Sequence, residues 1–223
     1  MTVHILTLFP KSFDGVFTES IIKRAQEKKL VNINLINIRE FAKNKAKTVD
    51  DKPYGGGRGM VLKVDVVIDA LESIKPKPYA ILLSASGRKY TQQMAKRLSG
   101  KKSLAIICGH YEGVDTRVEK YMDDVISIGD FVMTGGEIAA MAIADSVARL
   151  IPGVIQKEST ESESFSQNGK ILLEHPHYTR PENFRSQKVP QVLLSGNHKQ
   201  IEQFRGKEAL KRTKKFRPDL IRN

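Results

Sequence analysis

Leu104-Ala-Ile-Ile-Cys-Gly-His-Tyr-Glu-Gly-Val-Asp-Thr-Arg-Val118, followed shortly by Asp123-Asp-Val-Ile-Ser-Ile-Gly-Asp-Phe-Val-Met-Thr-Gly-Gly-Glu137, is the stretch that decides the fold. Each half is a short apolar run, Leu104 to Cys108 and Val125 to Ile128, that breaks at a glycine into polar residues and then starts a helix. That is the pattern of a buried parallel strand feeding a ligand-binding loop. Glycines at 109, 113, 129, 135 and 136 let backbone amides approach a ligand and permit positive φ. The interleaved carboxylates Glu112, Asp115, Asp130 and Glu137 are too negative for a phosphate site, so a cationic or neutral ligand is expected.

The same β-α alternation extends outward. Strands are expected at Val3 to Phe9, Val31 to Ile38 and Tyr79 to Ser84. Helices are expected at Ser12 to Leu30 (capped by Ser12), Val64 to Ile74, Thr91 to Leu98, Val114 to Met122 and Gly136 to Leu150. The fold class that follows is α/β with a mostly parallel sheet. The Gly136 to Leu150 helix is apolar nearly all round and alanine-rich, which fits either a central core helix or a subunit interface.

After Ile155 the composition changes. Residues 156–170 are rich in Ser and Glu and read as a flexible linker, separating a domain over 1–155 from a smaller one over 171–223. The last segment is punctuated by proline and then strongly basic, with two short helices expected at Lys199 to Thr213 and Arg217 to Ile221. The chain carries a formal charge of +12, and residues 199–223 hold nine basic residues against three acidic, so half the excess lies there. A polyanionic partner is the natural reading.

Other classes are set aside on composition and motif. No run approaches the roughly 20 apolar residues of a membrane span. The N-terminal residues read as a first strand rather than a signal peptide, and the single cysteine fits a reducing cytosol. Cys108 is expected to be a small buried hydrophobe. Lys52-Pro-Tyr-Gly-Gly-Gly-Arg-Gly-Met60 lacks the Gly-Lys-Ser/Thr ending of a P-loop, and no dinucleotide fingerprint follows the first strand. His175 and His177 flank Pro176 and make a poor metal site, and no metal site is expected elsewhere.

Taken together, Tyr54-Gly-Gly-Gly-Arg-Gly-Met60, Leu83-Ser-Ala-Ser-Gly-Arg88, Cys108-Gly-His-Tyr-Glu-Gly-Val-Asp115, Ser127-Ile-Gly-Asp-Phe-Val-Met-Thr-Gly-Gly-Glu137, Arg149-Leu-Ile-Pro-Gly-Val154, His175-Pro-His-Tyr-Thr-Arg-Pro181 and Val189-Pro-Gln-Val-Leu-Leu-Ser-Gly-Asn-His198 resemble, in order, the motifs of bacterial tRNA (guanine-N1)-methyltransferases of the SPOUT superfamily. The resemblance implies a trefoil-knotted cofactor site, a homodimer in the cytoplasm, S-adenosyl-L-methionine as methyl donor and guanosine 37 of tRNA as acceptor. It implies cofactor contacts at Leu82, Leu83, Ser84, Gly109, Ser127, Ile128, Gly129, Asp130, Phe131, Val132, Met133, Gly135 and Gly136. By the same likeness Glu163, before Ser164-Phe165 in the linker, is the general base, Arg149 faces the guanine, and Glu112 lies near the target base. Asp145, four residues before Arg149, is the alternative partner for that arginine. Mg2+ is implied by resemblance only, since no ligand cluster is written in the sequence.

The chain departs from the family pattern at Ala85, where proline is usual, at Arg58 in the Gly-rich loop, and at His110, where arginine is also common; it also stops soon after Arg217-Pro-Asp-Leu220. Two other readings stay open at the level of sequence. One is a non-catalytic RNA-binding protein with this fold, and the other a SPOUT methyltransferase acting at a different RNA position.

Overall fold

The computed structural model describes residues 1–156, 159–160, 162–166 and 171–221. The chain divides into two compact units, Met1–Ile155 and Gln156–Asn223.

The first unit is built on a five-stranded parallel sheet. Its strands are β1 (Thr2–Thr7), β2 (Asn32–Asn37), β5 (Tyr79–Lys89), β6 (Ser103–Ile107) and β7 (Asp124–Ser127), in the order β2-β1-β6-β5-β7. The mostly parallel α/β class expected from the alternation is the one found. Side chains alternate between the two faces, as a period of two requires. Val3, Ile5, Ile81, Leu104 and Ile106 belong to one apolar core, and Leu6, Leu82, Ala105 and Ile107 to the other. The helices α1 (Ser20–Glu27), α3 (Gln92–Ser99) and α4 (Glu137–Ala148) supply buried residues to the first core, and α2 (Val64–Glu72) to the second. Leu104, Ile106 and Ile107 are fully buried, each worth about 1.5–3 kcal/mol relative to exposure.

Three expected elements of this unit come out differently. The helix expected from Ser12 to Leu30 is a short 3-10 turn, Pro10–Phe13, followed by α1 alone. Pro10 at the first helical position favours the early turn, and Gly15 at φ +91 ends any continuation. Phe13 and Phe17 remain buried and stack at 5.6 Å between ring centroids, so the apolar spacing survives without the helix. The Val114 to Met122 helix is a 3-10 segment, Thr116–Tyr121, opened by Asp115, whose side chain accepts from the Arg117 N–H at 2.9 Å. The strand expected to end at Ser84 runs on to Lys89 through an irregularity between Leu83 and Arg88.

The Gly-rich segment is closed at its base by two short antiparallel strands, β3 (Asp50–Asp51) and β4 (Val61–Leu62). Between them Gly55, Gly56, Gly57 and Gly59 all take positive φ, a backbone path that side-chain-bearing residues seldom follow.

In the second unit a hairpin of β8 (Asn183–Phe184) and β9 (Gln187–Lys188) precedes a single 19-residue helix, α5 (His198–Phe216), and a 3-10 turn, Pro218–Leu220. Asn197 caps α5 by accepting from the Gln200 N–H at 3.2 Å, and Pro218 falls two residues beyond its end. The first of the two expected helices therefore extends to Phe216, and the second is only a 3-10 turn. The linker expected at 156–170 lies in part outside the described residues. Among the described residues no helix is long and apolar enough to cross a membrane.

Candidate active site

The strand order sets the position of the site. The chain passes from β5 to β6 on one side of it, then crosses to β7 on the other, so the loops after all three strands meet at their C-terminal ends. Such a reversal in strand order is where open α/β sheets leave a crevice. The two loops first singled out by their glycines are thus not neighbours in the sheet; β5 lies between them and contributes a third wall.

The result is a cavity of about 280 Å³, walled by residues 82–85, 109–114, 126–129 and 131–136 with Glu119 and Ala139. Leu82, Leu83, Ser84, Gly109, Ser127, Ile128, Gly129, Phe131, Val132, Met133, Gly135 and Gly136 all line it. Asp130 does not. Its side chain is 87% exposed and pairs with Lys89 at 2.9 Å, so the carboxylate points away from the wall that its neighbours make.

The carboxylates prove to have separate duties. Asp115 holds Arg117 through a fork of 2.9 and 2.7 Å, which keeps its carboxyl below the usual range. Glu137 is buried and accepts from the Thr7 hydroxyl at 2.8 Å, joining α4 to β1. Of the four acids read from sequence, only Glu112 lines the cavity, joined there by Glu119, which sequence reasoning missed. Among the described residues no Lys or Arg lines it; Ser84, Ser127, Thr134, Tyr111 and His110 join the apolar side chains and the two carboxylates in its wall.

The paired glycines also act differently from the sequence expectation. Gly136 donates its N–H to the Gly109 carbonyl at 2.8 Å, and a Cβ at Gly136 would sit 2.8 Å from the Cys108 Cα. His110 and Gly135 form an isolated antiparallel bridge. These glycines let two loops press together, and of the five only Gly113 has positive φ, at +119. Cys108, beneath this contact, is buried, and burial pushes its thiol well above the ordinary value, with Glu137 nearby adding to the shift. The inert reading of this cysteine agrees with that environment.

Glu112 is placed by the Gly-rich segment. Its N–H donates to the Met60 carbonyl at 3.0 Å, Leu62 N–H to Gly113 at 3.0 Å, and Asp115 N–H to Leu62 at 3.0 Å. Its side chain packs over the Cα of Gly59, where any Cβ would collide with it. His110 stacks obliquely on Phe9, with centroids 4.9 Å apart, and meets Tyr111 edge-on at 4.7 Å. Tyr111 itself is held at φ +59, an uncommon conformation for an aromatic residue.

Arg149 lies elsewhere in the first unit. Arg149 is the C-cap of α4, a 12-residue helix that starts at the cavity, so about 18 Å of helix separates it from Gly136. Its N–H donates to the Asp145 carbonyl at 3.0 Å. Glu163 belongs to the second unit and is half-buried.

Sequence patterning also missed a charged cluster in the first unit. Asp124 on β7, with a side chain 1% exposed, is held by Arg88 at the end of β5 and Arg97 on α3. Burial alone would push the Asp124 carboxyl up; hydrogen bonds and charge from the two arginines outweigh it and hold it low. Only the spacing of the pairs, 36 and 27 positions, hid this from local reading.

Fold and site together define a parallel α/β protein with a small-molecule-sized pocket at the C-terminal ends of three neighbouring strands. The model of the tRNA (Guanine-1)-methyltransferase TrmD family matches residues 1–223. Similar proteins called tRNA (guanine-N(1)-)-methyltransferase include those of Carboxydothermus hydrogenoformans, 55% identical over 100% of this chain and 88% of the relative, and of Bacillus pumilus, 54% identical over 99% and 92%. That of Geobacillus kaustophilus is 53% identical over 99% and 91%. The chain belongs to the tRNA (guanine-1)-methyltransferase family.

Proposed function

We propose that this chain transfers a methyl group from S-adenosyl-L-methionine to N1 of guanosine 37 in tRNA, beside the anticodon, as a cytoplasmic homodimer. The observation that carries the reading is the cavity itself, in a chain of this family. Its Leu, Ile and Met side chains offer an apolar bed for a purine, its backbone groups can pair with polar edges, and Glu112 and Glu119 favour a cationic centre. When bound, S-adenosyl-L-methionine supplies a methyl group on a sulfonium sulfur, whose departure leaves a neutral thioether.

The rest of the chemistry falls to side chains. Guanine N1 carries a proton and has no free lone pair until that proton leaves, so Glu163 accepts it as general base. Negative charge then moves toward O6, where the fixed cation of Arg149 stabilises it. Glu112 holds the target base by its polar edge. The length of α4 keeps Arg149 away from the cavity of its own chain, and a second copy removes that difficulty. Ile138, 61% exposed, and the exposed Ala142 give α4 a small and apolar exposed stretch that suits such a pairing.

The reading includes a domain over 1–155, a linker over 156–170 and a tRNA-binding domain over 171–223. It also places the cofactor loops in a trefoil knot, as membership of the family implies. The basic residues along α5 hold RNA phosphates with a salt-dependent affinity. Mg2+ can assist, although among the described residues no group of three His, Cys, Asp or Glu side chains is placed to bind one.

The test is methyl transfer from labelled S-adenosyl-L-methionine to two tRNA transcripts differing only in G or A at nucleotide 37, followed by nucleoside analysis. The expected product is 1-methylguanosine from the G form alone. Transfer to both forms or to another nucleoside refutes the assignment, as does tight tRNA binding without transfer.

A further inference from the structure

Glu163 is followed by three residues that the second unit fastens one by one. The Ser164 hydroxyl accepts from the Glu174 N–H at 3.0 Å, and the Phe165 N–H donates to the Leu172 carbonyl at 2.7 Å. Ser166 closes the turn by donating to the Glu163 carbonyl at 3.1 Å. Phe165 stands at φ +69, in the left-handed region, where an aromatic residue stays only if its surroundings hold it there.

What holds it is the end of α5. The Arg217 guanidinium lies over the Phe165 ring, with Cζ 5.7 Å from the centroid, within the range of a cation–π contact. Arg217 is not a loose cation. Its Nε and Nη2 donate to the two oxygens of Asp219 at 2.9 and 2.7 Å, which fixes the plane of the guanidinium. The segment that receives the Glu163 turn is tied to the same helix, because Leu173 N–H donates to the buried Thr213 hydroxyl at 2.9 Å.

We propose that Arg217 is a positioning residue for the general base. Acting through the Phe165 ring, it fixes the turn over 163–166 and with it the carboxylate of Glu163. This rests on the reading of Glu163 as the base. The same helix carries exposed Lys207, Lys211, Lys214 and Lys215, so RNA contact and placement of the base share one anchor. A direct phosphate contact by Arg217 is the lesser reading, since Asp219 already occupies its fork and cancels its charge.

The experiment compares full-length Glu163→Gln, Arg217→Ala, Arg217→Lys, Asp219→Asn and the Glu163→Gln/Arg217→Ala double variant, measuring kcat, KM for S-adenosyl-L-methionine and tRNA affinity. Arg217→Ala should lower kcat about tenfold or more while both affinities hold, since small misplacement of a reacting group is enough for that. Arg217→Lys should recover part of the loss, and Asp219→Asn, which frees the guanidinium without removing it, should show a smaller loss in the same direction. The double variant should be no slower than Glu163→Gln alone, the mark of a residue that works through another. Wild-type kcat in Arg217→Ala overturns the proposal, as does weaker tRNA binding at unchanged kcat or a double variant slower by the full product of the two losses. If Asp219→Asn and Arg217→Lys both match wild type, the proposal falls even where Arg217→Ala does not fold. Full activity in Glu163→Gln instead refutes the general-base reading itself, a result separate from any of these.

Discussion

Removing both Arg88 and Arg97, as methionine, strands the buried Asp124 carboxylate at the start of β7. The asymmetry of exposure sets the magnitude: the Asp124 side chain is 1% exposed, whereas those of Arg88 and Arg97 are 68% and 44% exposed. A buried charge left without its partner loses about 3–5 kcal/mol of stability. Asp124→Asn should lose only about 1–2 kcal/mol, because the released arginines already reach water and the amide can still meet the Tyr79 hydroxyl, 3.3 Å from Oδ2. Since the chain has no tryptophan, the assay is urea unfolding followed by far-UV circular dichroism and tyrosine emission, with equal m-values required.

The pH dependence has a definite sign. The native carboxyl of Asp124 is held below its ordinary value by the arginines, so its contribution is complete above the unfolded carboxylate range, near pH 4, and fades as pH falls through the lowered native value. In the double variant burial is unopposed and raises the same carboxyl, so protonation there relieves the penalty earlier. The stability gap between wild type and variant should be flat around neutrality and close in acid. A gap that widens in acid refutes the argument, and so does an Asp124→Asn variant less stable than the double methionine variant.

Gly136→Ala should lower stability by about 1–3 kcal/mol and weaken S-adenosyl-L-methionine binding in calorimetric titration, because its Cβ would stand 2.8 Å from Cys108 Cα and 3.0 Å from Gly109 N. Wild-type binding by that variant would show that the loop contact is not needed. Thr213→Val removes the acceptor of Leu173 N–H and should destabilise the second unit by about 1–3 kcal/mol. Hydrogen exchange should then speed up at Leu173, and unchanged protection there counts against the role. Lys214→Gln and Lys215→Gln should each reduce the slope of log affinity for tRNA against log salt by about 0.7–0.9 if each meets a phosphate; an unchanged slope would place RNA on another face.

Much of the fold was legible because it is local. β1, β2, β6 and β7 announce themselves as short apolar or alternating runs, and α2, α3 and α4 as helical spacing with recognisable ends, Thr91 capping α3 by accepting from the Met94 N–H. The places where local reading failed have local competitors: Gly15 inside a helical pattern, and a capped 3-10 turn after Asp115. The cavity loops were legible too, through glycines that interrupt apolar strands. Their roles were not. Gly136 serves a contact between loops, Asp130 turns outward to Lys89, and Glu137 turns inward to Thr7.

By itself, then, the sequence determined the α/β class, the strands whose ends carry the pocket, the basic C-terminal helix and, through its ordered motifs, the family. These depend on neighbours a few positions apart, whose periodicity and chemistry are written along the chain. Only the tertiary structure decided that β5 lies between β6 and β7, that Arg88 and Arg97 share Asp124, and that Arg217 lies on Phe165 beside Glu163. Those pairings join residues far apart along the chain, up to the 130 positions between Thr7 and Glu137, and a local pattern carries no information about which distant group will meet it.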